Sequence, residues 1–200
     1  MFQNDKYFTN KEVIYAQNDK ATYLYRVKRG MVKMIKINEN GDQIIKDILV
    51  EGEIFGEWES LINPDYHYKT MVISMDSNTI ISSIRLNQLN EQIRQKAFIS
   101  LSPIFLDRKN KQENRFENLL KRDSTYRVKK QLTYLGKKAG RRVGDETLLK
   151  ISLSHKDLAS FTDTSRQTVT TILNEMRKEG KIYYTRDRIL FRDLENLLTK

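Results

Sequence analysis

The stretch that most constrains this chain is residues 153–191, LSHKDLASFTDTSRQTVTTILNEMRKEGKIYYTRDRILF. Ser154 suits a helix N-cap, Asp157 stands three residues on to meet the first free amides, and Leu158 and Phe161 supply an inner face. Thr162-Asp163-Thr164 is a short polar break, and Asp tolerates a left-handed backbone better than most residues. A second helix is expected from Ser165. In it Val169, Ile172, Leu173 and Met176 fall at i, i+3, i+4 and i+7, one apolar stripe, and Gly180 is placed to end it. Residues 181–185 and 188–192 then read as two strands of a hairpin turning at Asp187. The order helix, turn, helix, hairpin is that of a winged helix-turn-helix.

With about 100° between successive residues, the side opposite the stripe carries Gln167, Thr171, Asn174 and Lys178, and Arg166 reaches forward from the first turn. Ser165 and Thr170 flank that face, and Arg186 and Arg188 sit at the hairpin. Such residues fit DNA: Arg166 to guanine N7 and O6, Gln167 to adenine or a phosphate, Thr171 to a thymine methyl. A solvated helix face has a similar composition, but the hairpin that follows makes the conjunction specific. The net charge of +10 is also uneven. Residues 1–85 hold 11 basic and 12 acidic residues, and residues 86–200 hold 25 and 14. A basic half carrying this motif predicts salt-sensitive phosphate binding and opposes the alternative of a winged helix used as a protein-interaction module.

Through LASFTDTSRQTVTTILNEMRKEGKI the C-terminal part resembles the helix-turn-helix of the CRP/FNR family of bacterial transcription regulators. The family's Ser-Arg pair is Ser165-Arg166 here. Gln167 stands where many members have Glu, Thr171 where the cyclic-AMP-responsive members carry a second base-reading Arg, and Asp163 where Gly is usual in the turn. The resemblance implies a regulator and not an enzyme, a cytoplasmic homodimer on a palindromic operator in double-stranded DNA, and contact with RNA polymerase. A different operator is expected from the changes at Gln167 and Thr171.

Residues 13–16, 24–28, 31–37, 43–50, 70–75 and 79–85 read as strands, with a hairpin loop at 38–42 and corners at Gly30 and Gly52. Strands so spaced without helices between them predict an antiparallel jelly roll. KEVIYAQNDKATYLYRVKRGMVKMIKINENGDQIIKDILVEGEIFGE resembles the family's cyclic-nucleotide-binding-type domain. Members usually carry a further helical stretch before the position of Lys11, which implies a trimmed sensor. By resemblance Gly56-Glu57 opens a phosphate-binding cassette: Gly lets backbone amides approach a phosphate and Glu accepts from a ribose hydroxyl. Its closing Arg-Ser falls on Lys69-Thr70, and Lys lacks the bidentate grip of Arg. The candidate effector pocket is therefore Gly56, Glu57, Trp58, Lys69 and Thr70, for a cyclic nucleotide or, with the pocket repurposed, for something else or nothing. Trp58, Tyr66, His67 and Tyr68 either line that pocket or pack the barrel mouth.

Residues 86–95 read as a short helix closing the barrel. Ser102-Pro103 suits an N-cap and first turn, so the long helix is expected to begin near Ser102. Leu106, Glu113 and Leu120 recur every seven residues, with Phe105, Arg108, Gln112, Phe116 and Leu119 alongside. That seam is either solvated or a coiled coil; the resemblance favours the second and makes Phe105, Leu106, Gln112, Phe116, Leu119 and Leu120 dimerisation residues. Residues 121–124 offer a hinge and a new cap, followed by a helix over 125–139. Residues 140–145 read as a basic loop whose Arg141 and Arg142 serve phosphates or solubility, and 148–153 as a strand.

Cysteine is absent, which excludes disulfides and the cysteine-held iron-sulfur cluster of the FNR branch, and two histidines are few for a metal site. No run reaches membrane-spanning length and the first residues lack the order of a secretory signal. The expected class is α+β: a β jelly-roll sensor over 1–98, a central dimerisation helix over 99–122 and a winged helix-turn-helix over 123–200.

Overall fold

The computed structural model describes residues 2–198 and divides into two compact units, Met1–Asn114 and Arg115–Lys200. The first is built on β1 (Asn4–Phe8), β2 (Val13–Tyr15), β3 (Tyr23–Arg29), β4 (Val32–Ile37), β5 (Gln43–Leu49), β6 (Ile54–Phe55), β7 (Met71–Ser74) and β8 (Thr79–Arg85). Two antiparallel four-stranded sheets, β1-β8-β3-β6 and β2-β7-β4-β5, face each other as a jelly roll. Tyr15, Val27, Val32, Leu49, Phe55, Tyr68, Val72 and Ile81 fill the space between them. Tyr15 stacks on Tyr68 with ring centroids 3.8 Å apart, and Tyr68 donates its hydroxyl to the Tyr23 carbonyl at 2.8 Å. A phenol can thus be buried because its polar tip is satisfied.

The six expected strands are present with ends shifted by a residue or two. The β4–β5 hairpin turns at Gly41, whose φ is +80°, and the Asn38 side chain accepts the Asp42 amide at 2.8 Å. Two strands had no legible pattern. In β1 the first four of five residues are exposed, so no alternation marks it, and β6 has only two residues.

The long helix α1 runs Glu91–Lys121, which corrects the expectation of a start at Ser102. Pro103 lies inside it. Proline cannot donate to the carbonyl four residues back, here that of Ile99, and the Ser102 hydroxyl supplies the missing hydrogen bond at 2.9 Å. Asn90 provides the cap instead, its side chain accepting the Ile93 amide at 2.9 Å. The expected helix over 86–95 is a 3-10 turn, Leu86–Gln88, followed by this start. Ala97, Leu101 and Phe105, four residues apart, bury one face of α1 with Leu24, Leu61 and Leu86. Phe105 is 7% exposed there, so it serves the barrel and not the expected dimer seam.

In the second unit α2 (Ser124–Ala139) begins at the N-cap Asp123, whose side chain accepts the Tyr126 amide. β9 (Arg141–Val143) and β10 (Glu146–Lys150) form a hairpin around Gly144-Asp145, where a basic loop and a later strand were expected. The Gly144 φ of +62° lets two residues close the turn. Next come α3 (His155–Thr162), α4 (Arg166–Lys178), β11 (Ile182–Tyr184) and β12 (Arg188–Phe191), with sheet order β11-β12-β10-β9. Val128, Leu132 and Leu135 of α2 are fully buried in this unit, as are Val169 and Phe191. Gly136, inside α2, allows close approach: a Cβ there would meet Leu194 Cδ1 at 2.6 Å.

Because the Asp123 carboxylate satisfies an otherwise orphaned helix amide, Asp123→Ala is expected to destabilise the C-terminal unit by about 1 kcal/mol, measured by denaturant unfolding. Asp123→Ser, which keeps an acceptor, should recover most of the loss.

Candidate functional site

The exposed face of α4 is set by capping and burial. Ser154 and Asp157 form a reciprocal capping box on α3, and Ser165 caps α4 by accepting the Thr168 amide at 3.0 Å. Val169, Ile172, Leu173 and Met176 are buried, which leaves Arg166, Gln167, Thr171 and Lys178 exposed on the opposite side. Ser165 is exposed with its hydroxyl engaged in the cap.

Thr170 and Asn174 are half-buried at the edge of this face. The Thr170 hydroxyl donates to the Arg166 carbonyl at 2.9 Å and lies 2.8 Å from His155 Nδ1. Asn174 Oδ1 accepts the Tyr184 hydroxyl at 3.1 Å, and the Tyr184 ring lies 5.8 Å from that of His155. Both residues thus spend hydrogen-bonding capacity tying α4 to α3 and the wing. His155 and Tyr184 were not singled out from the sequence; His155 stands beside the legible cap Ser154, but Tyr184 alternates with exposed Tyr183 and gave no hint of which faces α4.

Arg186 and Arg188 are exposed at the wing tip, Arg188 3.8 Å from Asp187. The Thr185 hydroxyl donates to Asp187 at 2.7 Å, which holds that carboxyl below its ordinary range. Arg141 and Arg142 are exposed on β9.

In the barrel Gly56, Glu57, Trp58, Lys69 and Thr70 all line one cavity of about 520 Å³, with Met34, Lys36, Lys46 and, from α1, Leu106, Arg108, Lys109 and Gln112. That volume is within the range of small-molecule sites. Gly56 has φ +115°, and a Cβ there would meet the Tyr23 carbonyl at 3.1 Å and Leu24 Cδ2 at 2.9 Å. Only glycine fits this bend without strain.

Glu57 accepts the Lys69 amide at 2.8 Å, yet burial raises its pKa to about 6, since that hydrogen bond only partly offsets the lost hydration. The Lys69 ammonium is 3.8 Å from Glu59 and 4.9 Å from the centre of the Tyr66 ring. Thr70 Oγ1 is buried beside the Tyr15 hydroxyl.

Trp58 stacks on Phe98 at 4.5 Å and lies 6.1 Å from Phe105, so it also packs α1 onto the barrel. Tyr66, His67 and Tyr68 are not part of the cavity lining: His67 is exposed and Tyr68 faces the barrel core.

Arg108 is the residue that sequence reasoning placed on the helix seam and the structure turns inward. Its Nε is 3.4 Å from Asp47 Oδ2 and its Nη2 donates to the Ile54 carbonyl at 2.8 Å, with both side chains nearly buried. A partner 61 positions away leaves no periodic trace in a sequence.

On the rest of α1, Leu106, Phe116, Leu119 and Leu120 are exposed apolar residues, as is Ile99, seven before Leu106; Gln112 is exposed and lines the cavity. Among the described residues no group of His, Asp or Glu could hold a metal ion, and no helix is long and apolar enough to cross a membrane.

Residues 5–96 match the family model of the cyclic nucleotide-binding domain, and residues 126–199 that of the Crp-like helix-turn-helix domain. The chain is similar to the transcriptional regulator LdrP of Thermus thermophilus, 23% identical over 96% of this chain and 94% of the relative. It is also similar to a global nitrogen regulator of Synechocystis, 24% identical over 91% and 81%, and to a CRP-like cAMP-activated global transcriptional regulator of Mycobacterium tuberculosis, 23% identical over 95% and 84%. Among solved structures, a CRP-family regulator from Thermus thermophilus has a TM-score of 0.77 at 21% identity over 96% of this chain and 94% of its own. FixK2 from Bradyrhizobium japonicum has 0.78 at 17% identity over 97% and 94%. With a jelly roll ahead of a winged helix-turn-helix and both halves matching, the chain belongs to the CRP/FNR family of bacterial transcription regulators, which are DNA-binding proteins and not enzymes.

Proposed function

We propose that this regulator works in the cytoplasm as a homodimer on a palindromic operator, contacts RNA polymerase from there, and uses a barrel cavity that does not serve cyclic AMP. The observation that supports the DNA reading is the exposed face of Arg166, Gln167, Thr171 and Lys178 beside the exposed wing arginines Arg186 and Arg188. Arg166 reads guanine, the wing arginines and Lys178 neutralise phosphates, and Thr170 and Asn174 hold the reading helix in place. Arg166→Ala is expected to cost about 1–3 kcal/mol of specific binding and to relax one base pair of each half-site, measured by titration against operator variants; uniform weakening on all sequences would make Arg166 a phosphate contact.

The dimer reading rests on the exposed apolar residues Ile99, Leu106, Phe116 and Leu120 along α1, with Ile99, Leu106 and Leu120 separated by multiples of seven. Pairing two copies there sets two α4 helices about one DNA turn apart, roughly 34 Å. Leu120→Glu is expected to shift the protein toward monomer in sedimentation and to abolish cooperative binding to the two half-sites.

Against cyclic AMP stands the Lys69 ammonium, drawn to Glu59 and unable to grip a cyclic phosphate with two parallel hydrogen bonds. The match of residues 5–96 to the cyclic nucleotide-binding domain favours the second reading, a cyclic-nucleotide switch. Titrating the protein against its own upstream DNA separates them: affinity unchanged by cyclic AMP supports the first, and a marked gain in affinity supports the second.

Glu57 gives a pH test of the cavity. Its folded pKa of about 6 exceeds the ordinary 4.5, so the fold favours the protonated form. The associated stability is full below about pH 4.5 and is lost as pH rises through about 6. Glu57→Gln should remove that step and, allowing for partial exposure, raise stability at pH 7 by about 1–2 kcal/mol, read from paired unfolding curves at pH 4.5 and 7.

A further inference from the structure

The turn between α3 and α4 holds a residue the fold alone does not require. Asp163 is left-handed, with φ 53° and ψ 50°, a conformation glycine adopts without strain. Its carboxylate supplies something glycine cannot. Arg115, in the last two turns of α1, donates from Nε to Asp163 Oδ2 at 2.6 Å and from Nη2 to Oδ1 at 2.8 Å, and its Nη2 also reaches the Ser160 carbonyl at 2.8 Å. The Arg115 guanidinium lies 5.5 Å from the centre of the Phe161 ring. Its side chain is 13% exposed and that of Asp163 27%.

A second arginine completes the arrangement. Arg127 of α2 donates to the Thr162 carbonyl at 3.1 Å and the Asp163 carbonyl at 2.9 Å, and back to the Arg122 carbonyl at 2.7 Å. The two guanidinium groups thus satisfy the negative, carbonyl-bearing end of α3 from two different helices. Between those helices the chain breaks helical structure only at residues 122–123, a connection that by itself leaves several backbone dihedrals to set direction.

We propose that Arg115 is a positioning residue for DNA reading: its fork-to-fork pair with Asp163 fastens the end of α1 directly to the helix-turn-helix. While the pair is made, residues 115–121 and the reading helix are held as one body. In a dimer joined along α1, the pair fixes the half-site spacing that the two reading helices accept. This rests on the dimeric reading above. A bidentate, largely buried pair suits the task because it fixes direction as well as distance.

The test uses the full-length protein and palindromic DNA with half-sites moved apart or together by one and two base pairs, beside DNA with a single half-site. One added base pair rotates the half-sites by about 35° and separates them by about 3.4 Å. The wild type is expected to prefer one spacing by about tenfold or more. Arg115→Ala and Asp163→Gly should each reduce that preference to about threefold or less, while single half-site affinity changes by less than about twofold. The double variant should be no worse than either single one, because the residues act as a pair. Arg115→Lys, which keeps the charge without the fork, should fall between.

Asp163→Gly suits the left-handed turn, so it serves if Arg115→Ala folds poorly. A wild type with a spacing preference that both variants keep unchanged overturns the positioning role alone. A wild type with no spacing preference overturns the dimeric reading and the positioning role with it.

Discussion

Burial of one stripe of α4 governs the DNA-binding unit. Val169, Ile172, Leu173 and Met176 are all nearly inaccessible, and burying such side chains contributes about 1.5–3 kcal/mol each relative to leaving them in water. Rotating α4 by 100° to present a different face would expose them and cost several kcal/mol. The outward face of Arg166, Gln167 and Thr171 is therefore fixed by the inward one. The side-chain bonds from Tyr184 to Asn174 and between Thr170 and His155 trim that position further, at about 1 kcal/mol each. They locate the wing against α4, so the exposed wing arginines and Arg166 are held as one surface.

The barrel cavity shows a different balance. Its wall mixes Lys36, Lys46, Lys69, Arg108 and Lys109 with Glu57 and Glu59, and several of these charges are already answered from within: Arg108 meets Asp47, Lys69 and Glu59 meet each other, and Glu57 accepts the Lys69 amide. A ligand must compete with these partners, so its gain is the difference between two sets of contacts and not the sum of the new ones. A neutral or protonated Glu57 changes the terms again, because a protonated carboxyl donates where a carboxylate only accepts.

What was legible in the sequence was local. The capping box Ser154/Asp157, the left-handed Asp163, the α4 stripe and the Asn38–Asp42 hairpin each depend on residues within one or two turns, and each stands as read. What was misread depended on distant partners or on a compensation. Pro103 looked like a helix start because the Ser102 hydroxyl that satisfies Ile99 is not visible in a propensity. Phe105 fitted the seven-residue seam and the barrel face alike, and the barrel took it. Among the cavity residues, Gly56, Glu57, Trp58, Lys69 and Thr70 are brought together around one space, whereas Arg108 and Asp47 meet across 61 positions and Tyr68 turns to the core.

The helix α1 explains why its periodicity was hard to interpret. Ala97, Leu101 and Phe105 step by four residues along the face packed on the barrel, while Ile99, Leu106 and Leu120 step by multiples of seven along an open face. Two apolar stripes on one helix cancel in any measure that seeks a single face. They also diverge, because a straight helix with 3.6 residues per turn drifts by about 20° in each seven-residue step. The barrel stripe ends at Phe105, and beyond it Phe116, Leu119 and Leu120 lie on the part of the helix that carries Arg115. Between Phe105 and Arg115 the buried partners of α1 thus change, from Leu24, Leu61 and Leu86 of the barrel to Asp163 and Phe161.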